Sequence, residues 1–158
     1  ELLLYVSVSS IMLLVTSLFL FTLLESRVKN QTIAEVEQQG LQVMHLITQT
    51  VRNAEAITSP ATSTSTSILT LDVITVASDP TIFDLSGDAI RIKEGAGFAV
   101  ALTNSRVIAS ELTFQNLSRA STPGTVRAQF TLAHVNSTGR NEYSFTKTII
   151  GSATLRQP

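Results

Sequence analysis

The feature that most constrains the fold is an uncharged, apolar segment at the start of the sequence. Residues 2–24 contain no Asp, Glu, Lys, Arg, His, Gly or Pro. A helix needs about 20 apolar residues, at ~1.5 Å each, to cross ~30 Å of hydrocarbon. A cleavable secretory signal fits poorly, because it has a basic start, a shorter apolar core and a small-residue cleavage site. We therefore assign residues 1–25 to an apolar helical segment that is able to cross a membrane.

Glu1 stands immediately before this segment. A carboxylate deep in a membrane costs roughly 2.5–3.5 kcal/mol on insertion scales. Two placements avoid this cost: Glu1 lies at the membrane surface, or it meets a positive partner when the helix packs. A plain single-pass anchor leaves the acidic residue unexplained.

The rest of the 158-residue chain is long enough for one modest domain, residues 26–158. The net charge is −1 and there is no basic patch, so nucleic acid is not predicted as a main partner. The sequence has no cysteine, which excludes disulfides, thiolate metal sites and a cysteine nucleophile.

The helical pattern continues beyond Glu25, because apolar residues recur there at spacings of mostly three and four, as on one face of a helix. We predict one helix over about residues 1–57, whose amphipathic half, 26–57, packs on a β-sheet. The predicted packing residues are Val28, Ile33, Val36, Val43, Ile47 and Val51. Pro60 then stops the helix, since the residue before proline avoids the α region.

Residues 58–67 are predicted to form a polar loop. Its low-complexity tract is a candidate for glycosylation, although a flexible connector is the simpler interpretation. The candidate positions are Thr62, Ser63, Thr64, Ser65, Thr66 and Ser67.

From residue 68 onward the apolar period changes to two, which predicts an antiparallel sheet over residues 68–158. Turn signals separate the strands, and Ser86-Gly87-Asp88 is typical of a hairpin. The predicted strands cover residues 68–76, 81–85, 89–93, 98–102, 107–117, 126–132 and 142–150. The predicted fold class is therefore α+β, with half of the long helix covering one face of the sheet.

A glutamate followed at once by an uncharged span, then by an amphipathic helix and a β-domain, resembles the type IV pilin superfamily, which includes the pseudopilins of type II secretion systems. The match covers about a third of the chain, and the β-domain adds no motif. The resemblance rests on the run Glu1-Leu2-Leu3-Leu4-Tyr5-Val6-Ser7-Val8-Ser9-Ser10-Ile11.

The resemblance implies a structural subunit of an extracellular filament. Subunits of this superfamily wait in the inner membrane, and a prepilin peptidase and the pilus assembly machinery bring them into a helical homo-polymer with bundled N-terminal helices. Glu1 would neutralise the N-terminal amine of an adjacent subunit, a pairing that sets register more than stability. The implied filament-assembly residues are Glu1, Leu2, Leu3, Leu4, Tyr5 and Val6.

The sequence departs from the family pattern in three ways. The first departure is that the given sequence starts at the glutamate, so the partner of Glu1 depends on whether apolar residues precede it. The second and third are that the apolar helix has no proline and that the chain has no disulfide loop. Hydroxyl side chains compete for backbone hydrogen bonds, which predicts local unwinding between about Ser9 and Leu18 in an assembled filament. The residues concerned are Ser9, Ser10, Thr16 and Ser17.

Catalytic and metal-binding chemistry is not predicted. His45 and His134 lack the cysteines or spaced carboxylates of a zinc site. Asp79, Asp84 and Asp88 fit no calcium-loop spacing, and turn-forming aspartates are the simpler interpretation. We expect no enzyme activity and no cofactor.

Two further functions stay open beside the major filament subunit. One is a minor pilin or a secretion-system pseudopilin, which differs in copy number rather than in fold. The other is a membrane-anchored extracytoplasmic domain that never polymerises. Arg27 and Lys29 keep a simple anchor open, because the positive-inside rule alone would place the C-terminal side in the cytoplasm, which is the reverse of the orientation that the resemblance implies.

Overall fold

The N-terminal helix, α1, spans Leu2–Asn53, and its 52 residues extend about 78 Å. It packs against two antiparallel sheets, which confirms the predicted α+β class with one long helix. The computed structural model describes residues 1–156, so Gln157 and Pro158, at the end of the predicted sheet region, lie outside the described residues.

Helix α1 ends at Asn53 rather than near Ile57. Ala54 is extended, with φ −77° and ψ 152°, and it begins the strand β1 (Ala54–Ser59). The side chain of Ala54 is buried, and its backbone pairs with Val73 of a strand further along the chain. Sheet hydrogen bonds therefore replace helical ones over residues that local pattern alone assigns to the helix.

The remaining strands form two sheets where one was predicted. The five-stranded sheet has the order β1-β3-β4-β5-β6, and the four-stranded sheet has the order β2-β7-β8-β9. The strands after β1 are β2 (Ser65–Thr66), β3 (Leu69–Val73), β4 (Thr81–Ser86), β5 (Ala89–Glu94), β6 (Val100–Ala101), β7 (Val107–Asn116), β8 (Thr125–His134) and β9 (Thr146–Thr154).

Several boundaries differ from the sequence-based expectations. The predicted loop 58–67 contains the end of β1 and the whole of β2, which pairs with β7. Strand β3 stops at Val73, whose N–H donates to the Asp79 carboxylate at 3.3 Å. A short 3₁₀ helix, Asn141–Tyr143, occupies the predicted start of the last strand, which begins at Thr146.

The hairpin predicted at Ser86-Gly87-Asp88 is present. Ser86 pairs with Ala89, which leaves a two-residue loop in which Gly87 and Asp88 both have positive φ, 58° and 61°. This is the backbone of the tight turns whose twist matches that of paired strands. The turn connects β4 to β5 and fixes their register.

The core lies between one face of α1 and the two sheets, with α1 packed mainly on β8 and β9. The predicted packing residues Val36, Val43, Ile47 and Val51 are buried there, whereas Val28 and Ile33 are only half-buried. Three further residues of α1 are buried on the same face: Thr32, Gly40 and Met44. Thr32 is polar and Gly40 has no side chain, so an apolar pattern misses these two, whereas Met44 is apolar and is not in the predicted set.

Two glycines allow the helix and the sheet to approach closely. Gly40 of α1 faces Ile149 of β9, and Gly151 of β9 faces Met44 of α1. In both places an added Cβ would collide with the opposing side chain. The helix and strand therefore interlock, each receiving a large side chain of the other at a position that has none.

Candidate assembly helix

The apolar part of α1 lies outside the globular domain. Every residue from 1 to 27 is exposed, and the packed face of the helix begins at Val28. The most apolar 18-residue stretch of α1 is 0% buried, and the helix is long and apolar enough to cross a membrane. A continuous exposed apolar surface is typical of regions that contact lipid or another protein.

Glu1 forms the N-terminal boundary of α1. Its carbonyl oxygen accepts hydrogen bonds from the N–H groups of Leu4 and Tyr5, at 3.0 and 3.2 Å, but its carboxylate makes no capping hydrogen bond. Within residues 1–156 no cationic side chain lies within ion-pair distance of that carboxylate. The other predicted assembly residues, Leu2, Leu3, Leu4, Tyr5 and Val6, are exposed beside it.

Hydroxyl groups of the apolar segment bond back to the helix. Ser10 Oγ donates to the Val6 carbonyl at 2.8 Å, and Thr16 Oγ1 lies 2.9 Å from the carbonyl oxygen of Met12. The helix is continuous through Ser9, Ser10, Thr16 and Ser17 in the single chain. The predicted unwinding concerns the assembled filament and stays a prediction for that state.

These four hydroxyl residues share one side of α1. Ser9 and Thr16 are seven residues apart, as are Ser10 and Ser17, and a spacing of seven returns to nearly the same face after two turns. Small residues on one face let apolar helices approach closely in lipid-like surroundings. On this side, however, Leu13 and Leu20 lie among the hydroxyl residues, so the face mixes hydroxyl with large apolar side chains.

A polar cluster fastens α1 to the sheets near the point where it leaves the domain. The Glu35 carboxylate accepts a hydrogen bond from Asn104 Nδ2 at 3.1 Å, and lies 3.6 Å from an Arg106 nitrogen and 3.7 Å from His134 Nε2. The His134 ring stacks on Tyr143, with 5.8 Å between ring centroids. These contacts join three separate parts of the chain, and we call them the neck cluster.

His134 is held in the neck cluster by its contacts with Glu35 and Tyr143. Its side chain is mostly buried, and its Nδ1 has no hydrogen-bond partner within the described part of the chain. Glu35, Arg106, His134 and Tyr143 of the cluster line a groove of about 350 Å³, whose walls also include Val28. From the sequence, His134 is expected to be a packed or solvated residue. No local pattern predicts the cluster around it, because its members are far apart in the chain; Glu35 and Asn104, for example, are 69 positions apart.

The other candidate residues do not come together. His45 is exposed on α1. Asp79 follows a short 3₁₀ helix, Val76–Ser78; Asp88 lies in the β4–β5 turn, and Asp84 forms an ion pair with Arg91. Residues 1–156 contain no group of three or more His, Cys, Asp or Glu placed to hold a metal ion. The candidate glycosylation positions 62–67 are all exposed, although Ser65 and Thr66 belong to β2.

Comparison with known proteins gives no matching family model, no matching curated protein and no matching solved structure.

Proposed function

We propose that this chain is the structural subunit of a type IV pilus-like filament, which polymerises through its apolar N-terminal helix and displays the β-rich domain on the filament surface. Before assembly the same helix holds the subunit in the inner membrane. The partners are further copies of the chain, together with a prepilin peptidase and an assembly machinery.

One observation supports the proposal above the others. The helix α1 is continuous from the exposed apolar segment into the core of the domain, with no linker between the two parts. A membrane anchor needs only an apolar span, and a flexible connection would serve it equally well. A rigid connection fixes the position of the domain relative to the helix, which is what a regular helical assembly requires.

The surface of the apolar segment adds support. Residues 2–24 carry only apolar and hydroxyl side chains, so copies of this segment can pack together without burying any charge beyond Glu1. Glu1 has an unpartnered carboxylate among the described residues at the end of that segment. In a bundle of such helices a positive group of a neighbouring copy compensates the cost of burying this charge.

The principal alternative is a single-pass anchor for an extracytoplasmic domain that does not polymerise. The exposed apolar helix favours it as well, because the length and composition of α1 satisfy both functions. A minor pilin or a secretion-system pseudopilin has the same architecture and differs in copy number.

Replacement of Glu1 separates these functions. In cells that contain the assembly machinery, Glu1→Ala is expected to reduce filament yield about tenfold or more, since a lost charge pairing of 1.4 kcal/mol is worth a factor of ten. The amount of membrane-inserted subunit should not change. The matched control is Glu25→Ala, which removes the next acidic residue of the same exposed helix. Normal filament yield from Glu1→Ala would contradict the assembly role of Glu1.

A further inference from the structure

Two arginines lie side by side at the end of α1 that is far from the apolar segment. Arg52 belongs to the last turn of α1, and Arg156 follows β9. The Arg156 N–H donates to the Arg52 carbonyl at 3.1 Å, which holds the two residues next to each other. Both are exposed, and within residues 1–156 neither lies within ion-pair distance of a carboxylate.

These arginines line a groove between α1 and the end of β9. The groove has a volume of about 770 Å³, which is within the range of small-molecule sites. His45 adds a third basic side chain, and no Asp or Glu is among the lining residues. The other polar residues of the walls carry hydroxyl or amide groups: Thr48, Gln49, Asn53, Ser152 and Thr154.

The groove carries a net positive charge. Each guanidinium contributes a full charge, because arginine is always charged in proteins, whereas the C-terminus of α1 offsets only about half a charge. Arg52 and Arg156 also line a second groove, of about 250 Å³, again without an acidic lining residue. Like charges gathered in a concave surface attract anions, since the surrounding protein screens them less than water does.

Membrane lipid is not the source of the anion. Arg52 is 28 positions beyond Leu24, which corresponds to about 42 Å along the helix. Anionic headgroups attract basic residues only within about 10 Å of the membrane surface. With residues 2–24 upright across a membrane, the groove therefore opens into solution.

We propose that this groove binds an acidic saccharide, whose carboxylate groups pair with Arg52 and Arg156. The planar fork of a guanidinium group matches a carboxylate, and charge-assisted hydrogen bonds of this kind are strong. The side chains of Gln49, Asn53 and Ser152 together offer donors and acceptors for the hydroxyl groups of the sugar. The site lies outside the apolar segment, so it gives the β-rich domain a ligand in addition to any role in a filament.

Calorimetric titration of the full chain in a non-ionic detergent tests the site. The ligand is trigalacturonate, and its uncharged methyl ester is the matched comparison. Trigalacturonate should bind at low salt with a Kd of about 0.1 mM or lower. The ester should not bind measurably, because it keeps the hydroxyl groups but has lost the charge that the arginines attract.

Single substitutions identify the binding residues. Arg52→Gln and Arg156→Gln should each weaken binding about tenfold, since each removes charge-assisted hydrogen bonds. The matched control is Arg27→Gln, which removes an exposed arginine of the same helix that lines neither groove, and it should leave the affinity unchanged. All three variants should unfold at the temperature of the natural chain, because these side chains are exposed.

The contrary outcomes are distinct. No binding of trigalacturonate, or equal binding of its methyl ester, would overturn the proposal. Inorganic phosphate that bound as tightly as trigalacturonate would overturn the assignment to a saccharide, because the hydroxyl and amide groups would then add nothing. Equal weakening by Arg27→Gln would show that net charge alone causes the binding. The titration needs no filament, so these results do not depend on polymerisation.

Discussion

Gly151 of β9 lies directly against the thioether of Met44 on α1, at a distance that leaves no space for a side chain. At the neighbouring contact the roles are reversed, because Gly40 of the helix faces the Ile149 side chain of the strand. These two contacts set how closely the helix approaches the four-stranded sheet, and hence how the apolar segment is aimed relative to the domain.

Gly151→Val is therefore expected to destabilise the domain. Valine suits an isolated strand better than glycine does, but its branched side chain would have to displace Met44 from the core. Overpacking of this kind costs about 1–3 kcal/mol. The change in the free energy of unfolding is measured by urea unfolding of the full chain in detergent, monitored by the circular dichroism of the β-sheet.

The matched control is Ser152→Val, the next position of the same strand, where the side chain is exposed. This change should leave the free energy of unfolding within about 0.5 kcal/mol of the natural chain. Met44→Ala in the Gly151→Val background should recover part of the loss, because the shorter side chain makes room. Equal effects of the two valine substitutions would contradict the interlocking contact.

The ion pair of Asp84 and Arg91 should stabilise the β4–β5 hairpin to a similar extent across the neutral range. Arg91 donates to both carboxylate oxygens, at 2.9 and 2.7 Å. These hydrogen bonds raise the pKa of Arg91 further above the neutral range. A raised pKa means that the arginine's contribution is complete below its unfolded-state pKa and is lost only as the pH rises through the folded-state pKa.

Arg91→Gln is accordingly expected to cause a small loss of stability that is the same at about pH 6 and about pH 9. High salt should reduce the loss, since the pair is partly exposed. Arg127→Gln is the control, because Arg127 is an exposed arginine of β8 with no ion pair in the described part of the chain. A loss that vanished by pH 9 would contradict this assignment.

Removal of the Glu35 charge should loosen α1 where it leaves the domain. Glu35→Gln keeps the size of the side chain but removes the charge that Arg106 and His134 face. A loss of about 1 kcal/mol corresponds to a roughly five-fold increase in local opening. Amide hydrogen exchange over residues 28–36 and 104–106 should rise by that factor, while the amides of Phe114 and Phe130 stay protected.

Glu37→Gln provides the comparison, because Glu37 lies on the same helix and pairs only with the half-exposed Lys147 among the described residues. It should leave exchange in residues 28–36 unchanged. If the amides of residues 28–36 exchanged equally fast in both variants, the Glu35 contacts would not be what holds this part of α1 to the domain.

Local patterns in the sequence were sufficient to predict the long helix, its amphipathic half and the hairpin at Gly87 and Asp88. Each depends on residues within a few positions of one another, either through helical periodicity or through turns that need positive φ. The α+β class follows from those elements, since a helix with one apolar face and strands with alternating polarity must cover each other.

The features that local patterns miss depend on distant partners. The helix ends at Asn53 because Ala54 pairs with Val73, and the short strand β2 exists because β7 lies beside it. Gly40 is a weak helix former by propensity, and only the position of Ile149 gives it a role. The neck cluster likewise joins α1 to residues far along the chain, with no motif in between.

The surroundings of residues 2–24 in the working protein test the central proposal most directly. The full chain is produced with its assembly machinery, and the extracellular material is imaged by electron cryomicroscopy. We predict helical filaments whose core contains residues 2–24 of many copies, with neighbouring helix axes about 8–10 Å apart. A chain found only as a monomer in the membrane, with lipid around residues 2–24 and no filaments outside the cell, would contradict the proposal.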